Sequence, residues 1–367
     1  MAERIRVALL APRGAVVTDG PQGGSSLVLL EDAQLLKTAG FEVRVWAAAG
    51  STASEIAATV RIRTPLPLVS SAEYCIPFVR SNPGAVLLAY NEPTVAFLAP
   101  DRAVVRFDWP TPLPRYARWP GAASRFRRAR YLFPSQALRD LWLKRNPVVD
   151  RRSTVVLPNA VDRRIFTSAP PPPPPPRVGY AGQWVPQKGL DVLLAAWPAV
   201  EAACPDAQLV VAGGPGLWRR TQPASGAAWL DGMVRDAAQR HRVAIMGILA
   251  REEMPALWRS IHVACVPSRC EESFGLVALE AMACGRPVVG TQRGALPEVV
   301  GDGGVLVPED GPAALAEALT ALLTDKERYE DFRRRAERRA DAFALERRFE
   351  RLIGLVENVA QSTRNVE

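Results

Sequence analysis

Histidine is almost missing from this chain of 367 residues; His241 and His262 are the only two. A zinc or other transition-metal site would have almost no imidazole to draw on, and the five cysteines (75, 204, 265, 270 and 284) form no CxxC pair. No even cysteine framework emerges, so free thiols in a reducing compartment are expected. No Asp-x-Asp pair occurs anywhere. Nor does any uninterrupted apolar run approach the roughly 18–20 residues of a membrane-spanning helix. The opening MAERIRVALLAP has an apolar run too short for a signal-peptide core, and it continues into Arg13 and a glycine-rich loop. It is expected to be a first buried strand, and the protein to be cytoplasmic.

What is present is an ordinary globular composition, 48% hydrophobic, on a chain too long for one ordinary core. Two domains are expected. A formal net charge of +8 fits anionic partners: nucleotide phosphates, anionic lipid or nucleic acid. Composition alone does not choose among them.

Short β-branched, apolar runs alternate with helical patterns from end to end. In the first half 4–12, 41–49, 85–90, 103–109 and 130–135 read as strands. Between them lie stretches such as GSSLVLLEDAQLLKTAG, whose leucines recur near helical spacing and which ends on Gly40. After the seven prolines Pro170–Pro176, too many for a helix or a central strand, the alternation restarts with RVGYAGQW and continues through AQLVVAGG, VAIMGILA, HVACVPS and PVVGT. The expected fold class is α/β: two doubly wound, Rossmann-like domains facing an interdomain cleft. The expected division is 1–165, a proline-rich linker over 166–177, a second domain over 178–343, and a C-terminal helix over 344–367 packing back toward the first domain.

The segment SRCEESFGLVALEAMACGRPVV carries the chemistry. A strand delivers the chain to its carboxyl end, a turn follows, and a helix starts near Gly275. Free N–H groups and the dipole at a helix N-terminus make an anion site. Glu272 lies in the loop beside it, and Glu280 falls a turn or so into the helix, able to accept hydrogen bonds from paired hydroxyls.

This block resembles the E-x7-E signature of retaining glycosyltransferases of the family 4 type, which have the GT-B fold. The resemblance extends through GYAGQWVPQKGLDVLLAAW, AQLVVAGGPG, VAIMGILAREEMPALW and VLPNAVDRRIF, nearly all of the second half. In the first half it rests on GPQGGSS, YNEP and FPSQALRD. It implies that Glu272 contacts the donor sugar or the acceptor near the reacting carbon, and that backbone N–H groups of Phe274, Gly275, Leu276 and Val277 hold a diphosphate. Glu280 would hold the ribose, Lys188 would neutralise the leaving diphosphate, and Gly23 and Gly24 would approach the phosphates from the first domain. The donor would be a nucleotide diphosphate sugar, UDP favoured over GDP, acting as a co-substrate with no metal and no other cofactor expected. The acceptor would be a hydroxyl of a sugar, an aglycone or a lipid-linked compound.

Two departures from the family pattern stand out. Gln183 occupies the place of an expected arginine, leaving Arg13 and Arg293 as candidate substitutes. Phe107 stands where a histidine often precedes an aspartate; Asp108 follows it, and Asp108 and Asn91 become candidates for acceptor binding, with a structural role at a strand end equally open for Asp108. Between 115 and 131, arginines interleave with Tyr116, Trp119, Phe126 and Tyr131, a mixture that suits peripheral contact with an anionic membrane or a plain solvated surface. No nucleic-acid motif accompanies the charge. The rival readings are a GT-B-like sugar-nucleotide epimerase, which would want acid–base histidines, and a non-catalytic sugar-nucleotide-binding subunit.

Overall fold

The computed structural model describes residues 4–18, 24–54, 56–61, 67–214, 224–309 and 311–364. The chain divides into two compact units, Met1–Asn159 together with Glu346–Glu367, and Ala160–Leu345.

Unit 1 is built on a parallel sheet of seven strands in the order β3-β2-β1-β4-β5-β6-β7. The strands are β1 (Arg6–Leu10), β2 (Glu42–Ala48), β3 (Ile56–Val60), β4 (Val86–Tyr90), β5 (Ala103–Arg106), β6 (Arg130–Phe133) and β7 (Thr154–Val156). The helices are α1 (Gly24–Thr38), α2 (Pro67–Ser81), α3 (Thr94–Leu98), α4 (Pro120–Arg128) and α5 (Gln136–Arg145). The central strand β4, VLLAY, is buried at every position, as a parallel strand covered on both faces must be. Phe107, Tyr131, Phe133 and Trp142 pack with ring centroids 5.0–6.3 Å apart in its core. Phe107 is therefore a core residue.

Unit 2 carries a parallel six-stranded sheet in the order β10-β9-β8-β11-β12-β13. Its strands are β8 (Arg177–Ala181), β9 (Gln208–Ala212), β10 (Val243–Gly247), β11 (Val263–Val266), β12 (Val288–Thr291) and β13 (Gly304–Val307). Its helices are α6 (Leu190–Ala203), α7 (Ala224–Arg240), α8 (Met254–Ser260), α9 (Leu276–Ala283), α10 (Leu296–Val300), α11 (Pro312–Thr324) and α12 (Lys326–Asp341). In both sheets the strand order reverses direction once, between β1 and β4 and between β8 and β11. Ligands of open α/β sheets bind at such reversals, outside the carboxyl ends of the strands.

The final helix, α13 (Leu345–Arg364), falls almost wholly within unit 1. The buried Arg348 fixes it there. Its Nε and Nη2 donate to Asp32 of α1 at 2.6–3.1 Å, and its Nη1 donates to the Leu157 and Pro158 carbonyls.

The contact division falls between Asn159 and Ala160, ahead of the proline run. That run belongs to unit 2, where the buried Arg286 donates to the Pro170 carbonyl at 2.9 Å. Among the described residues no helix is long and apolar enough to cross a membrane.

Candidate functional site

The reversal point of the second sheet brings together the two charged residues singled out in the sequence. Lys188 lies at the end of a 3-10 turn, Pro186–Lys188, that follows β8; Glu272 lies in the loop after β11. The next residue, Gly189, has φ +69°, and a Cβ there would stand 1.8 Å from the Pro267 carbonyl oxygen, so only glycine lets the two loops approach this closely. Both the Arg269 and the Cys270 N–H donate to the Gln187 carbonyl, at 2.9 and 3.2 Å, locking loop to turn.

Lys188 Nζ pairs with Glu272 Oε1. Ser268 Oγ donates to the same oxygen at 2.6 Å, and the Cys270 thiol stands 3.9 Å from it. All these contacts fall on Oε1; among the described residues Oε2 has no hydrogen-bond partner. Burial works against the charge on Glu272, but the Lys188 ammonium and the donors around Oε1 outweigh it and hold the carboxyl below its usual range. Burial likewise works against Lys188, and Glu272 reverses that and raises it above the ordinary lysine value. Both groups are ionised at neutral pH.

Beyond Glu272 the chain turns through Gly275, at φ +93°, into α9. The Ala278 and Leu279 N–H groups both donate to the Gly275 carbonyl. Among the described residues the N–H groups of Phe274, Gly275, Leu276 and Val277 have no acceptor, as the head of a helix requires. These donors, the dipole behind them and Lys188 make one electropositive corner, with the open Glu272 oxygen as the acceptor beside it.

Glu280 is not the free acid its spacing suggests. It is 3% exposed, with Arg251 paired to Oε1 and Trp258 Nε1 donating to Oε2 at 3.3 Å. Arg251 in turn lies over the Phe166 ring, 4.7 Å from its centroid. Each carboxylate oxygen keeps a second lone pair for a ligand hydroxyl. Gln183 is half-buried, and its carbonyl takes the Tyr180 hydroxyl at 3.0 Å. Arg293 spreads its charge over Glu271 and Glu309 at 3.1 and 2.9 Å, and Arg13 lies in unit 1 against Glu92 and Ser70. Sequence reasoning missed Arg251, Trp258, Ser268 and Glu92; only Ser268, four residues before Glu272, left a local signal.

In unit 1, Gly24 opens α1 and is exposed, while Gly23 lies outside the described residues. Asn91 sits at the carboxyl end of β4 with φ +57°, and its Oδ1 accepts from the Asp108 N–H at 3.0 Å. Asp108 takes the Arg106 Nε at 2.9 Å, and Arg106, fully buried, also reaches Asn159. Among the described residues, Asn91 Nδ2 and Asp108 Oδ2 are buried without a hydrogen-bond partner. The sequence-predicted acceptor pair is thus brought together, inside a network that also holds the ends of β4 and β5.

Among the described residues no group of His, Cys, Asp and Glu side chains could hold a metal ion. Residues 175–325 match the family Glycosyl transferases group 1. The chain is 37% identical over 186 residues to a phosphatidyl-myo-inositol mannosyltransferase of Mycobacterium leprae, covering 48% of this chain and 46% of that protein. It is 42% identical over 156 residues to a D-inositol 3-phosphate glycosyltransferase of Mycolicibacterium vanbaalenii, covering 39% of this chain and 33% of that protein. The aligned part thus spans less than half of each relative. A sucrose-phosphate synthase from Thermosynechococcus elongatus superposes with a TM-score of 0.76 at 21% identity, over 97% of this chain and 99% of that one.

Proposed function

We propose that this chain, which has the GT-B fold and whose residues 175–325 belong to the Glycosyl transferases group 1 family, is a retaining glycosyltransferase that moves a hexosyl or N-acetylhexosaminyl unit from a nucleotide diphosphate sugar to a hydroxyl acceptor. One observation carries the reading. At the sheet reversal of unit 2, a lysine, a set of unpaired helix N-terminal N–H groups and a carboxylate with one open oxygen converge. A diphosphate leaving group needs the first two, and a sugar hydroxyl needs the third.

In this mechanism the bond from the anomeric carbon to the donor's phosphate oxygen breaks while the bond to the acceptor oxygen forms. The acceptor's proton passes to the departing phosphate on the same face, so no histidine base is required. Negative charge grows on the diphosphate, where Lys188 and the N–H groups of residues 274–277 meet it. Competition from phosphate draws Lys188 off Glu272 and frees the carboxylate for the sugar. Glu280 takes the ribose hydroxyls beside Arg251, UDP is favoured over GDP, and Asn91 and Asp108 take the acceptor. No metal is used. The enzyme works in the cytoplasm.

The acceptor side has a further surface in unit 1. Trp119 is 69% exposed beside an apolar depression of about 500 Å³ lined by Phe97, Tyr116, Ala122 and Arg125, and the same stretch of chain carries the exposed Arg115, Arg118, Arg127 and Arg130, with Arg128 paired to Asp101. This combination suits peripheral contact with an anionic membrane and a lipid-linked acceptor.

The test is release of nucleotide diphosphate from UDP and GDP sugars, with and without candidate acceptors. Turnover should persist in EDTA, and Lys188→Ala should lower it by about 10²–10³, the scale for losing one preorganised electrostatic contact. Near-normal turnover of Lys188→Ala would move the diphosphate elsewhere.

A further inference from the structure

Asn91 and Glu92 are consecutive, yet they serve opposite sides of β4. The left-handed backbone at Asn91 turns the chain at the strand's end. Asn91 reaches toward β5, accepting from Asp108, and Glu92 reaches toward β1, where its Oε1 accepts the Arg13 N–H at 2.9 Å. In the sheet, β1 and β5 are the two neighbours of β4, and the gap between β1 and β4 is the reversal point of unit 1. A strained, non-glycine αL residue at such a place marks a conformation held for use.

Glu92 is 4% exposed, and the elements around it are closely tied. Arg13 Nε stands 3.8 Å from its Oε1, and Arg13 Nη1 donates to Ser70 Oγ of α2 at 2.7 Å. Also from α2, the Cys75 thiol stands 3.8 Å from Oε2, and the Tyr74 hydroxyl donates to the Ala11 carbonyl at 3.0 Å. Ser71 of the same helix bonds Thr94 of α3, a helix with no titratable side chain. Burial pushes the Tyr74 hydroxyl and the Cys75 thiol up, so both stay neutral, and Arg13 is the charge that Glu92 meets.

We infer that Glu92 is a positioning residue: ionised, it clamps the turn Pro12–Ala15 that follows β1 through the Arg13 N–H and guanidinium, and protonated, it lets that turn go. The kinetic consequence of this clamp rests on the transfer reading above; the clamp itself does not. A hydrogen bond to a charged acceptor is about twice as strong as one to a neutral acceptor. Burial, against the lowering effect of Arg13, pushes the carboxyl up to about 7. Because the folded value lies above the unfolded one, stability is greatest below the ordinary carboxylate range and is lost as pH rises toward 7. The clamped form is the less stable one, and it prevails above neutrality.

The experiment is hydrogen exchange of the Arg13 amide in the intact protein, corrected for intrinsic rate, from about pH 8 to about pH 5.5 to bracket the Glu92 titration. When the turn opens with Glu92 still buried, the carboxyl loses only the lowering effect of Arg13 and its value rises further, so protection is expected to fall as pH drops from about 8 through 7, by up to about tenfold per pH unit. In Glu92→Gln, which keeps an acceptor without the charge, it should be low and flat. Protection that stays constant across the window in the wild-type protein overturns the proposal, whether or not the variant folds. Where transfer is measurable, kcat/KM should rise through the same window in the wild type and stay flat in Glu92→Gln. If no transfer occurs at any pH, the transfer reading fails, and the exchange result alone judges the clamp.

Discussion

The Arg348–Asp32 pair allows the sharpest test of how α13 is held. All five guanidinium N–H groups are engaged: Nε and both Nη2 protons by the two Asp32 oxygens, and Nη1 by the Leu157 and Pro158 carbonyls. Arg348 is 3% exposed and Asp32 fully buried, with the Tyr90 hydroxyl donating to Asp32 Oδ2 at 2.6 Å. Arg348→Met keeps most of the stem's packing but leaves the carboxylate with Tyr90 alone. Breaking a buried pair from one side costs about 3–5 kcal/mol, because an uncompensated charge stays behind. The double variant Asp32→Asn with Arg348→Met removes both charges, so it should lose clearly less than the sum of the singles, with a coupling of about 1–3 kcal/mol. Glu357→Ala, at an exposed position on the same helix, serves as the control and should lie within about 0.5 kcal/mol of wild type. The assay is urea denaturation with hydrogen exchange resolved over 345–364 and 86–90, so that a loss in unit 1 is not confused with one in unit 2. If Arg348→Met loses less than about 1 kcal/mol, or the double variant loses the full sum, the buried pair does not anchor the helix as described here.

Two other outcomes are expected. Glu280→Gln should weaken binding of the bare nucleotide diphosphate as well as the full donor, by about 1.5–3 kcal/mol in calorimetry, the range for hydrogen bonds to a charged group; unchanged nucleotide affinity would remove Glu280 from the ribose role. The full chain should float with vesicles containing anionic phospholipid and be released by salt, with Trp119→Ala binding more weakly; equal binding to neutral vesicles, or none to anionic ones, would reduce the patch around Trp119 to plain surface.

The central strands were legible because burial on both faces demands near-continuous apolar runs, as in VALL and VLLAY. Three strands escaped: β3, β7 and β13. Each lies at a sheet edge, and none is buried along its whole length, so no run stands out from its neighbours. The proline run was read as a connector from its stiffness alone. Its membership of unit 2 depends on the Arg286 donor, 116 residues away.

Local sequence determined a good deal: strand–helix alternation, Gly275 at the head of α9, and Glu272 in the loop before it. These are matters of backbone sterics and short-range periodicity, which a few neighbouring residues suffice to specify. Tertiary structure alone decided which charges meet. Lys188 and Glu272 are 84 residues apart, Arg13 and Glu92 are 79 apart, and Asp32 and Arg348 are 316 apart. Glu280 looked like a free acid until Arg251 and Trp258, 29 and 22 residues upstream, were found against it. Ion pairs in a folded chain depend on strand order and on which loop ends share a sheet reversal, and no local pattern encodes that geometry.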